Sequence, residues 1–316
     1  MALSIDEANT MSSKYYDPTL TQQVYEESPF FYRLKQKNRV TWSGGTQIQW
    51  GIRYAEAGLA RMVGPREQAT YEEVETRTGA VLDWRYARGH AMISWDERVK
   101  NDGKAQVINL LADKATEMRE DMYELFADKL YSTSEGANDF VPLDTIVDTT
   151  TTYAGIATTD AAAWAAGFEN SAETVLHQYG TASALATAIN SCTFGKNKPD
   201  LILTTRNLWS KLASWFEGQK QYGDSMMAKG GFTTVSFEGI TAVADAKCNT
   251  SRLYLLDTNQ FEWRTHSDFD MVIKPWVSYE PDYPEAMIKR IVWAGNLMCR
   301  MRKTSGKFTG LDYAAS

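Results

Sequence analysis

The stretch Lys104–Thr133, KAQVINLLADKATEMREDMYELFADKLYST, decides the reading of this chain. Its apolar residues fall at Val107, Ile108, Leu111, Ala115, Met118, Met122, Leu125, Phe126 and Leu130. Steps of three and four trace one face of a helix. Asn101 or Asp102 supplies a start, and Ser134, Glu135 and Gly136 supply a stop. A helix of about 30 residues at 1.5 Å per residue is about 45 Å long, beyond the ordinary globular length. The opposite face carries Asp113, Glu117, Glu120, Asp121, Glu124 and Asp128, read as an acidic stripe with no basic residue inside it. Like charges at i,i+4 are mildly destabilising. Two readings of the stripe stand: a solvated face, or the seat of a basic surface from this chain or a neighbouring copy.

Working outward, 316 residues suffice for two domains and a substantial core. Hydrophobic content of 43% with 23% charged residues is that of a folded protein, and a formal charge of −7 argues against a dedicated nucleic-acid binder. No apolar run reaches the roughly 18 residues of a membrane span. Met1–Asn9 lacks the basic start and apolar centre of a secretion signal, so a cytoplasmic origin is expected. Cys192, Cys248 and Cys299 are isolated and odd in number, which points to buried free thiols.

Residues 1 to about 28 read as a polar arm, with Pro18 and Pro29 interrupting any long helix. Ser28–Ala55 has no acidic residue and holds Arg33, Lys35, Lys37, Arg39 and Arg53, one candidate partner for the stripe. Ile48, Trp50, Ile52 and Tyr54 alternate with polar or small residues, predicting a strand. After a connection from Ala55 to Ala69, a return strand is predicted through Val74–Tyr86, about 13 residues, more than twice the modal length. A two-stranded ribbon that long needs cover from its own domain or from another subunit. Trp42, Trp50, Trp84 and Trp95 cluster in or beside it, and Trp42, Trp50, Trp84 and Tyr86 are candidate interface residues with Asp113, Glu117, Asp121 and Glu124.

Beyond the helix, the threonine run Thr149–Thr152 marks a domain boundary, and residues 156 to about 280 read as an α/β unit. Alanine-rich helices are predicted at 160–178 and 182–191, a buried strand at Pro199–Leu203, and a helix after Thr205 bearing Leu208, Trp209, Leu212 and Phe216. Gly218–Gly231 reads as a loop. Thr234–Phe237, Glu238-Gly239 and Ile240–Val243 read as strand, turn, strand; Arg252–Asp257 and Phe269–Trp276 are further strands. Met287 to about Arg302 is one or two strands. From Ala286 to Leu311 there are no acids, while Lys289, Arg290, Arg300, Arg302, Lys303 and Lys307 are basic.

Catalytic and metal motifs do not appear. His90, His177 and His266 stand apart, with no HExxH, P-loop, GxGxxG or GxSxG. His266-Ser267-Asp268 holds triad residue types, but adjacency in sequence is not triad geometry. No enzyme activity, cofactor or metal is expected.

In this order, Pro199–Thr204, Phe237–Asp245, Arg252–Asp257 and Ile291–Leu297, with the arm, ribbon and long helix before them, resemble the major capsid proteins of tailed bacteriophages, the HK97-like family. The resemblance covers nearly the whole chain. It implies an α+β HK97-like capsid fold with an N-terminal arm at 1–39 and an extended loop with a peripheral-domain strand at 40–95. A spine helix and peripheral domain follow at 96–150, an inserted α/β axial domain at 151–280, and the peripheral-domain return strands at 281–316. It further implies hexamers and pentamers of an icosahedral shell enclosing packaged double-stranded DNA, with non-specific contact to that DNA, in a virion assembled in a host cytoplasm. The family's lysine cross-link on the extended loop is not carried over, because no lysine lies between Lys37 and Lys100. With Met1 close to the arm, a separate scaffolding protein and a portal are the expected partners. An encapsulin-like compartment shell, and less so an unrecognised α/β enzyme, are the alternatives.

Overall fold

The structure, a computed structural model, describes residues 28–37, 39–66, 72–96, 104–171, 184–215, 234–278 and 286–311, and no side chains of 35, 37 or 104–113. The predicted arm up to residue 27, the loop at 218–231, Phe216, residues 172–178 of the helix predicted at 160–178 and the Asp113 side chain lie outside that description.

In chain order the described elements are helix α1 (Pro29–Lys37), strands β1 (Arg39–Trp42), β2 (Ile48–Arg53), β3 (Arg77–Leu82) and β4 (Arg85–Ile93), then helices α2 (Lys104–Leu130) and α3 (Leu143–Ile146). There follow β5 (Phe168–Asn170), α4 (Leu185–Ser191), β6 (Leu201–Thr204), α5 (Arg206–Trp215), β7 (Thr234–Phe237) and β8 (Ile240–Ala244). The last are β9 (Leu253–Leu256), β10 (Phe261–His266), β11 (Val272–Ser278), β12 (Met287–Cys299) and β13 (Gly306–Phe308). Three sheets result: β1-β10-β12-β11 with β4 on the other side of β12; β5-β13-β9-β6-β8-β7; and the ribbon β2-β3.

The long helix forms as its period predicts. Ala115, Met118, Met122, Phe126 and Leu130 are buried, while Leu125 turns outward and Ala127 takes a buried place instead. Helix α2 lies on β4. Gly89 makes this possible: a Cβ there would stand 2.8 Å from Ile291 Cγ2 and 3.1 Å from Met122 Cγ. Below the helix sits an aromatic cluster. Trp263 and Trp293 stack with centroids 4.9 Å apart, and Phe31, Phe126 and Phe140 meet Trp263 edge-on. Phe31 comes from α1, a short helix that the sequence reading did not predict within the arm expected at 1–39. Proline is tolerated in the first helical turn, where its missing N–H costs nothing, so Pro29 begins a helix here.

The return strand is also corrected. The alternation Val74–Tyr86 is two strands divided at Asp83-Trp84, where Asn296 Nδ2 donates to the Asp83 carbonyl at 2.9 Å. β3 pairs with β2 from Ile48↔Leu82 to Arg53↔Arg77. β4 leaves the ribbon and pairs with β12 from Gly295↔Arg85 to Met287↔Ile93. Alternation is the same in both strands, so period alone cannot show a change of partner.

The second sheet follows the expected pattern more closely. β6 is buried throughout, between β8 and β9. Thr205 Oγ1 accepts from Leu208 N at 3.4 Å, the expected cap of α5. The β7–β8 turn places Glu238 at φ 49° and Gly239 at φ 80°, a doubly left-handed pair suited to a two-residue hairpin. At 160–171, however, the described residues form a short 3₁₀ turn (Ala162–Trp164) and strand β5 rather than a helix. Tyr153, Ile156 and Trp164 enter the larger core, where Tyr153 and Trp164 stack at 5.9 Å.

Candidate functional site

Two buried polar clusters fix how the sheets meet. Lys307, 3% exposed, donates to Asp148 Oδ2 at 2.7 Å and lies 3.3 Å from Glu169 Oε1 and 3.5 Å from Asp144 Oδ1. Arg252 also pairs with Asp144. Fully buried Arg302 donates to the carbonyls of Thr145, Ile146, Asp148 and Thr151. Burial alone would raise the Asp148 carboxyl. The Lys307 ammonium and the N–H groups of Thr150 and Thr151 outweigh that and hold it well below the ordinary carboxylate range.

In the second cluster, Asp245 Oδ2 accepts from Ser28 Oγ at 2.9 Å and Tyr131 Oη at 2.8 Å. Burial, and then the Asp245 charge, push the Tyr131 hydroxyl well above its usual range. Nearby, Arg33 binds Asp200 at 2.8 Å and Thr258 Oγ1 at 3.1 Å. Helix α1, the end of α2 and the second sheet are thereby locked together.

These bonds revise the reading of the basic tracts. Arg33 and Arg39 go to Asp200 and Asp270, Arg300 goes to Glu262, and Lys307 is buried in the cluster above. Among the described residues, Lys247 meets the acidic helix face, 3.2 Å from Asp128 and 3.8 Å from Glu124. Lys114 adds a contact to Glu117 at 3.2 Å, so a basic residue does lie within the stripe. Glu117, Glu120, Asp121, Glu124 and Asp128 are solvent-exposed.

Of the four aromatic candidates, three gather at one end of the five-stranded sheet. Trp42 lies under the Arg264 guanidinium, 4.5 Å from its ring centre, and is paired with His266. Trp84 donates to the Gly45 carbonyl at 2.9 Å and meets the His266 ring at 5.9 Å. Tyr86, on β4, is 74% exposed. Trp50 stands apart on the ribbon, half-buried, 6.3 Å from Tyr153. It lines a cleft of about 430 Å³ with Ile52, Arg53, Trp164, Phe194 and Lys303. The ribbon's connecting loop is apolar and exposed at Leu59, Met62 and Val63, and its returning limb exposes Glu72, Glu73, Val74 and Glu75.

The outward face of the five-stranded sheet was not picked out from sequence. Along β4, Gly89, Ala91 and Ile93 face the helix side, while Tyr86, Arg88, His90 and Met92 alternate outward. Register sets His90 opposite Arg290 on β12, and Arg290 opposite Lys274 on β11. The only signal would have been the exposed half of β4, which needs the partner strands to be interpreted.

Chemistry is sparse. The three cysteines are buried, and burial pushes the Cys192 and Cys299 thiols up to about 12 and the Cys248 thiol higher still. Among the described residues no group of three His, Cys, Asp or Glu side chains is gathered to hold a metal, and no helix is long and apolar enough to cross a membrane.

No family model matches the sequence, and no curated protein matches it either. The fold is nevertheless that of phage capsid proteins. The chain is similar to one in the cyanophage A-1(L) capsid asymmetric unit, with a TM-score of 0.65 and 17% identity over 90% of this chain and 93% of that one. It is similar to the capsid of Myoviridae phage XM1 at a TM-score of 0.58 and 11% identity, covering 89% and 92% of the two chains. A structure from Mycobacterium phage Bobi matches at 0.57 and 11% identity over 99% of both.

Proposed function

We propose that this chain is the major capsid protein of a tailed-phage-type virion, self-assembling as hexamers and pentamers of an icosahedral shell around double-stranded DNA. The observation that supports this reading is correspondence of fold over nine-tenths of both chains with a capsid subunit. A likeness confined to one sheet would be compatible with many activities, whereas this one spans nearly the whole chain.

In this reading α2 is the spine helix of a peripheral domain, β2-β3 with residues 54–76 is the extended loop, and the axial domain proposed at 151–280 holds strands β5–β9, to whose sheet the segment proposed as the peripheral return at 281–316 adds β13. The exposed apolar loop residues Leu59, Met62 and Val63 suit a segment that rests on another subunit. The role is structural, and its partners are other copies, a scaffolding protein and a portal.

Sedimentation and negative-stain microscopy of the purified chain, alone and co-expressed with a scaffolding protein, test the reading. Closed shells in either sample are the expected result. Only small discrete species in both would contradict it.

A further inference from the structure

The cleft beside the ribbon is built from four separate stretches of chain. β2 supplies Trp50 and Arg53, the 3₁₀ turn supplies Trp164, and the tight turn after α4 supplies Phe194. The chain leaving β12 supplies Arg300 and Lys303. The walls are fixed from behind. Trp164 is buried, stacks on Tyr153 and donates its indole N–H to the Tyr153 carbonyl at 3.2 Å. Arg302, which also lines the cleft, lies 5.4 Å from the Tyr153 ring centre and is held by its four carbonyl partners. At about 430 Å³ the space is that of an ordinary small-molecule site.

Two cations of the lining keep donors to spare. Among the described residues, the Lys303 ammonium has only the Phe194 ring, 4.5 Å away. The Arg53 guanidinium donates only through Nε, to the Ala55 carbonyl at 3.3 Å. Arg300, by contrast, is taken by Glu262. A bare inorganic anion would use the two cations and leave the aromatic faces in water, and an apolar molecule would do the reverse. A flat aromatic ring that carries an anionic group uses both. The described lining side chains offer cationic and indole donors and no oxygen acceptor, so the anionic group should be all acceptor. A phosphate presents several acceptor oxygens to a guanidinium and an ammonium at once, whereas a peptide brings N–H donors that these side chains cannot accept.

We infer that the cleft binds a nucleotide unit, its base among Trp50, Trp164 and Phe194 and its phosphate on Arg53 and Lys303. Stacking on aromatic rings tolerates every base, so the site reads a ring and a phosphate rather than a sequence. A free mononucleotide and an unpaired nucleotide of a strand present the same chemistry. The inference is independent of the shell reading, because it concerns one chain and holds or fails whether or not shells form.

Isothermal titration of the purified full chain tests it. The probes are adenosine monophosphate, adenosine, inorganic phosphate and a terminally phosphorylated single strand of adenines. The expected result is saturable binding of the monophosphate or the strand, about tenfold or more tighter than adenosine or phosphate, and weakened by salt. Arg53→Gln with Lys303→Gln, and separately Trp50→Leu, should each weaken it about tenfold or more, with thermal melts as the folding control. Arg88→Gln with Arg290→Gln, which removes cations elsewhere, should leave it unchanged. Should Trp50→Leu lower the melting temperature, the Arg53 and Lys303 pair carries the test, since neither side chain is buried. Binding of the monophosphate alone identifies a free nucleotide as the source, and binding of the strand alone identifies a nucleic-acid end; either upholds the site. Absence of saturable binding by both, binding that the cleft variants leave intact, or equal binding of inorganic phosphate overturns it. So does binding of an acidic aromatic peptide such as Asp-Phe-Asp in place of both, which would make the cleft a peptide site.

Discussion

Lys307, 3% exposed, sits among the carboxylates of Asp144, Asp148 and Glu169. Removing one member of a buried ion cluster leaves the remaining charges unpaired, which costs roughly 3–5 kcal/mol. Lys307→Met should lower the urea midpoint accordingly, while a surface change such as Glu120→Gln leaves it within experimental error. Asp148 adds a pH dependence of known sign. Its folded-state carboxyl titrates well below the usual range, so its contribution is complete above about pH 4–5, near and above the unfolded-chain value, and is lost as the pH falls from there. Urea midpoints should be flat from neutral pH to about 5 and decline below it, and Asp148→Asn should flatten the acid limb while lowering the plateau. Neither lysine nor arginine of this cluster was legible as interior. In sequence Lys307 and Arg302 belong to a basic tract, and only the folded positions of Asp144, Asp148 and Glu169 explain their burial.

At the scale of elements, the contact of α2 with β4 is set by the missing side chain of Gly89. Gly89→Val places two methyl groups against Ile291 and the Met118–Met122 edge of the helix, an overpacking cost of about 1–3 kcal/mol. Thermal melts should show it, and unchanged stability would mean that the helix is free to lift. The ribbon is expected to behave in the opposite way. Its loop residues Leu59, Met62 and Val63 are exposed, so replacing residues 55–75 by Asn-Gly should leave the urea midpoint nearly unchanged and abolish shell formation. Elements with one clear period were readable in advance: α2, α5, β6 and the β7–β8 hairpin. β10 was missed because Glu262 and Arg264 sit in it. They are buried yet paired with each other at 2.9 Å, so a buried strand looked polar. α1 was missed because Pro29 was read as a break, and β4 because its alternation runs on from that of β3.

For the molecule as a whole, the order of elements in the sequence carried the fold, since arm, ribbon, long helix, α/β unit and return strand is an uncommon succession. Surfaces were less legible. The four aromatic candidates proved to be a mixture: Trp50 and Trp84 pack within the chain, Trp42 lies beneath Arg264, and Tyr86 is open to solvent. The acidic helix face found a partner in Lys247, a residue with no distinguishing context in sequence. The most direct test of the central proposal is a cryo-electron microscopy reconstruction of the particles formed by the full chain. The account predicts a closed icosahedral shell of hexamers and pentamers in which residues 55–75 of each subunit lie on a neighbour. A purified chain that stays monomeric under every assembly condition, or forms an open array with that loop in solvent, would contradict it.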